Sequence, residues 1–175
     1  MVPHLSAHGL ARRAHRRDSD GRFCHPGGVF EHFTDDARRI LVLAHGEAQH
    51  LHVTSIGPEH LFLGMLRETE GIAGNALSDA GADYNRARAA LEEHNREQTG
   101  RESDREPFSE ATIRVMERSL QISWAQADAG IDTEHLLVAL LEQDDDAMEA
   151  VLAGLNITPE EVMQRVDALL AERDL

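Results

Sequence analysis

Two Glu-His pairs, Glu59-His60 and Glu134-His135, stand 75 residues apart, each opening a short apolar stretch. A carboxylate beside an imidazole is raw material for acid-base, nucleophilic or metal chemistry. Nucleophilic catalysis also needs a hydroxyl or thiol with a base in reach and a third group to orient that base. Ser55 near His60 and Ser109 near Glu134 meet neither condition and read as generic surface hydroxyls. Zinc on a helix needs histidines four residues apart with a supporting carboxylate, a pattern that His45, His50 and His52 do not make. His60 and His135 fall at a third helical position and are expected to turn inward as buried, hydrogen-bonded structural residues. His4, His8, His15, Cys24 and His25 are expected to lie on a solvated tail, where any metal would be adventitious. No catalytic residue, metal ligand or cofactor is therefore assigned.

Composition narrows the field further. All 17 basic residues are arginine, so there is no lysine for a Walker A loop or a Schiff base. The net charge of −15 repels phosphate backbones and anionic lipid surfaces, which sets aside nucleic acid and membrane as partners. No stretch approaches the roughly 20 apolar residues of a membrane-spanning helix, and one cysteine allows no internal disulfide. A cytoplasmic location is the expectation.

The elements that position the Glu-His pairs are two similar units. Residues 1–29 hold five arginines against two aspartates, a local +3, and read as a basic, disordered tail. With the chain at −15, the remainder carries −18. A polar run, residues 95–107, reads as a linker between repeat 1 (30–94) and repeat 2 (108–172), which together form one globular domain. Laid 75 residues apart, the halves align without a gap: Phe33 on Phe108, Thr34 on Ser109, Arg39 on Arg114, Ile56 on Ile131 and Glu59-His60-Leu61 on Glu134-His135-Leu136.

Each unit reads as four helices, so the fold class is all-α with eight helices. Thr34 caps a helix whose buried stripe is Ala37, Ile40, Leu41, Ala44, Ala48 and Leu51, running to about His50. Pro58 starts a short helix burying Leu61, Phe62, Met65 and Leu66; a third buries Ile72, Ala73, Ala76 and Leu77 and stops at Gly81; Asp83 caps the fourth. In the second unit Ser109 caps a helix burying Ile113, Met116 and Leu120, and Asp132 caps one burying Leu136, Leu137, Leu140 and Leu141. Thr158-Pro159-Glu160-Glu161 has the spacing of a capping box. No alternating or β-branched run argues a sheet.

The segments FTDDARRILVLAHGEA and IGPEHLFLGMLRETEGIAGNAL, with the looser PFSEATIRVMERSL and IDTEHLLVALL, resemble the N-terminal domain of bacterial Clp ATPases of the ClpC type over about residues 30–172. The resemblance implies a pseudo-twofold pair of four-helix repeats that binds substrate proteins and adaptors, here as a stand-alone module without the ATPase and without enzymatic activity. In that family some members recognise phosphorylated arginine, and cyclic peptides bind between the repeats. Carried over, Glu59 and Glu134 would face the arginine mark, Thr34 and Ser109 would supply the hydroxyl beside each site, and Phe30 and Phe108 would line the inter-repeat groove. Two departures weaken the second site more: Pro58 replaces a threonine before Glu59, and Asp132 adds a negative charge beside Glu134. A chain of this kind would act with a Clp ATPase as an adaptor, or as a decoy that withholds marked proteins or toxic cyclic peptides from it.

Overall fold

Thr34 and Ser109 start the two longest helices among the described residues. In the computed structural model, which describes residues 27–53, 55–97 and 107–173, the helices in chain order are α1 (Gly27–Phe30), α2 (Asp35–His50), α3 (Pro58–Arg67), α4 (Ile72–Asp79), α5 (Tyr84–Glu97), α6 (Glu110–Ala125), α7 (Thr133–Leu141), α8 (Asp146–Leu155) and α9 (Pro159–Arg173). Thr34 Oγ1 accepts the Ala37 amide at 3.3 Å, and Ser109 Oγ accepts that of Thr112 at 3.1 Å. Each hydroxyl satisfies one of the first-turn N–H groups that have no partner inside a helix, a contribution of about 1 kcal/mol.

The duplication holds in space. The starts of α2, α3 and α5 precede those of α6, α7 and α9 by 75 residues each, so α2–α5 and α6–α9 are the two four-helix repeats and α1 stands ahead of them. Their apolar faces form one continuous core, with Ile40, Leu61, Phe62 and Leu77 from the first and Met116, Ile131, Leu136 and Leu137 from the second all fully buried. Gly64 allows the tight crossing of α3 over α2, because a Cβ there would stand 2.7 Å from the Ile40 carbonyl oxygen.

The fourth helices are exchanged. α5 of the first repeat packs on α8 of the second, and α9 of the second packs on α4 of the first. Arg86 on α5 fastens this exchange by donating to the Gly154 and Leu155 carbonyls at 3.0 and 3.3 Å, where α8 ends with unsatisfied acceptors. Two isolated parallel bridges, Phe33 to Ile131 and Ile56 to Phe108, complete the seam. Each is made of an equivalent pair of bonds: Thr34 N–H to Ile131 O with Ile131 N–H to His32 O, and Ser109 N–H to Ile56 O with Ile56 N–H to Pro107 O. Among the described residues no helix is long and apolar enough to cross a membrane.

Several boundaries differ from the sequence reading. The fold already includes Gly27–Phe30, with Val29 buried, because an apolar side chain beside Phe30 finds the core; residues 1–26 lie outside the described residues. Helix α5 runs to Glu97, three residues into the assigned linker, since nothing from Asn95 to Glu97 breaks a helix. Leu66, Ile113 and Leu141 are only partly buried. Leu63 and Val115 take the deeper positions, because contact with the other repeat widens the apolar face beyond one stripe.

Candidate functional site

The seam brings four helix N-termini together in two pairs. At the first, α3 (Gly57, Pro58, Glu59) meets α6 (Ser109) across the Ile56–Phe108 bridge; at the second, α7 (Asp132, Thr133, Glu134) meets α2 (Thr34) across the Phe33–Ile131 bridge. Thr34 is thus bonded through its hydroxyl to Asp132 at the start of α7, and Ser109 through its N–H to the Ile56 carbonyl just ahead of α3. Ser55, expected at the surface, is buried. A 75-residue repeat relates equivalent residues but does not say which partner each one meets.

Glu59 and Glu134 both occupy the second position of their helices, where the macrodipole favours a carboxylate. Neither is a solvent-facing acid, with exposures of 7% and 3%. An ionised carboxylate at such depth needs charged or hydrogen-bonding partners. Glu59 folds back over Gly57, whose missing side chain leaves the space: a methyl group there would collide with both carboxylate oxygens. At the matching position Asp132 fills that space itself, its Oδ1 accepting the Thr133 amide at 2.8 Å and the Thr34 hydroxyl at 3.0 Å. Glu134 turns elsewhere, to Arg173 Nη1 at 2.9 Å.

The two histidines are buried and hydrogen-bonded, as expected. His60 Nδ1 accepts the Gly57 N–H at 2.9 Å and His135 Nδ1 the Asp132 N–H at 2.8 Å, so each imidazole reaches back from the third helical position to the cap, the role a glutamate plays in a capping box. An accepting Nδ1 leaves the proton on Nε2. His135 Nε2 then donates toward Gln126 Oε1 and Asp128 Oδ2, both at 2.9 Å. The signal was present in the sequence, because the histidine of each Glu-His pair lies three residues after a cap.

Phe30 and Phe108 meet at 5.5 Å between ring centroids, and Phe30 stands 5.9 Å from Phe33, so α1 carries an aromatic ring onto the bridge of the first site. Among the described residues no group of three His, Cys, Asp or Glu side chains gathers in a way that would hold a metal. The tail histidines and Cys24 lie outside the described residues.

A family profile described as "Clp repeat (R) N-terminal domain" matches residues 32–155 and 108–173. The chain belongs to the Clp repeat N-terminal domain family. Its relatives include the chloroplastic ATP-dependent Clp protease ATP-binding subunit ClpA homolog CD4B of Solanum lycopersicum, 31% identical over 157 residues that make up 90% of this chain and 17% of that protein. The Clp repeat domain thus spans less than a fifth of that relative's length. Among solved structures, the N-terminal domain of the chaperone ClpD from Arabidopsis thaliana superposes with a TM-score of 0.67 at 26% identity, covering 82% of this chain and 97% of that one. A ClpV N-domain in complex with a VipB peptide shares the fold alone, with a TM-score of 0.59 at 14% identity over 83% of this chain and 91% of that one.

Proposed function

We propose that this Clp repeat domain is a non-catalytic protein-recognition module of Clp-dependent proteolysis, working in the cytoplasm. It binds segments of substrates or adaptors at the seam between its repeats and takes phosphorylated arginine side chains at the two helix-terminus sites. One observation carries the reading: each seam site joins the N-termini of two helices, with a buried first-turn glutamate from one repeat and a capping hydroxyl from the other. Phosphoarginine presents a guanidinium and a phosphate together. A first-turn glutamate accepts from the guanidinium, a charged hydrogen bond of about 1.5 to 3 kcal/mol, while helix N-termini and hydroxyls donate to the phosphate.

The Phe30–Phe108 cluster supplies an apolar surface beside the first site, suited to the residues flanking a marked arginine or to a compact cyclic peptide. The VipB peptide on the related ClpV fold supports a peptide ligand class. Calorimetry with free phosphoarginine tests the reading: the unaltered chain should release heat that the Glu59→Ala/Glu134→Ala double variant loses, and identical heats from both would refute it. A degradation assay with a Clp ATPase, its peptidase and a model substrate then assigns the role, since an adaptor accelerates turnover and a decoy slows it.

A further inference from the structure

The second seam site already holds an arginine. Arg173, in the last turn of α9, donates from Nη1 to Glu134 Oε1 at 2.9 Å. Glu134 is buried while the Arg173 side chain stays half exposed, at 3% and 49%. The guanidinium therefore reaches in from solvent to a carboxylate that the fold has sealed away. In sequence the residue 75 positions before Arg173 is Gln98, so the two repeats differ in residue type at this position.

Building on the phosphoarginine reading, we propose that Arg173 is an intramolecular occupant of the Glu134 site, so that an arginine-bearing ligand binds there only by displacing it. The chemistry of the two guanidinium groups is the same, and both require the one buried carboxylate. A competitor tethered on the same chain acts at high effective concentration, and the ligand's apparent affinity falls by the fraction of time the site stands open. Binding at this site is thereby coupled to the position of the last turn of α9. A marked arginine that wins Glu134 frees that turn, and anything that draws Arg173 away opens the site.

The test isolates the second site in a Glu59→Ala background. Phosphoarginine is titrated into Glu59→Ala and into Glu59→Ala/Arg173→Ala, with thermal melts to establish that both are folded and Arg173→Gln in place of Arg173→Ala as a second variant. Removing Arg173 should tighten binding roughly tenfold, as for a site open about a tenth of the time. Equal or weaker affinity without Arg173 would overturn the proposal. If no protein in the series, the unaltered chain included, takes up phosphoarginine, the phosphoarginine reading falls and side-chain NMR with ¹⁵N-labelled arginine decides the contact: an Arg173 guanidinium signal that shifts and exchanges faster in Glu134→Gln supports occupancy, and one unchanged by that substitution refutes it.

Discussion

The two repeats share a backbone and differ in how they place their acids. Gly57 leaves its space to the Glu59 carboxylate, whereas Asp132 fills the equivalent space and Glu134 turns to Arg173. A second contrast lies along the first helix of each repeat. Glu47 is fully buried on α2, accepting from Arg67 Nη1 at 2.8 Å and from the Tyr84 hydroxyl at 3.0 Å, while the matching residue on α6 is Ile122. Arg88 extends this network toward Tyr84 and Glu92, which hold its guanidinium above the ordinary arginine value, Glu92 foremost. One helical blueprint thus accepts either an ionic or an apolar filling, and the difference resides in single side chains.

The largest effect should come from breaking the ionic filling while leaving its acid in place. Arg67→Ala/Tyr84→Phe removes both donors from a fully buried carboxylate, and a loss of about 3 kcal/mol is expected, read as a fall of roughly 10 °C in melting temperature. A drop of under about 3 °C would mean that Glu47 is not held as described. Arg173→Ala tightening the second site by about tenfold comes next, as argued above.

Cap removal should be smaller and unequal. Thr34→Ala loses both the Ala37 cap and the bond to Asp132, so it should cost about 1.5 kcal/mol, against about 1 for Ser109→Ala, whose hydroxyl contacts Thr112 within its own helix. Denaturant unfolding of the pair checks the order. A reversed ranking would break the contrast between the two seams.

Much of this fold was readable from residue spacing, because a 75-residue offset in caps and apolar positions translates directly into helix starts. What spacing does not encode is which surfaces meet. The exchange of α5 and α9 between repeats, and with it the pairing of Thr34 with Asp132 and of Ser109 with Ile56, depends on contacts between residues 53 to 98 positions apart. The Glu134–Arg173 pair was equally hidden, since a lone arginine near the end of an amphipathic helix reads as a solvated cation. Glu59 and Glu134 were found by residue type and position, but their burial was not foreseen: first-turn acids usually face water, and residue spacing does not show what packs over them.

The smallest expected effect on stability, and the sharpest on the comparison, is Gly57→Asp. It gives the first repeat the cap of the second and should change stability by no more than about 1 kcal/mol, because the cap it adds offsets the displacement of a flexible carboxylate. It should also expel Glu59 from its seat and weaken phosphoarginine binding at that site. Unaltered affinity would show that the glycine does not set the position of Glu59.

Amide chemical-shift mapping with phosphoarginine tests the central claim most directly. Shifts should concentrate at residues 57, 59, 60 and 132–135 and at the caps Thr34 and Ser109, where the helix N-termini meet in two pairs. Shifts confined to another surface, such as the groove between α8 and the start of α9 around Met148 and Pro159, would contradict it.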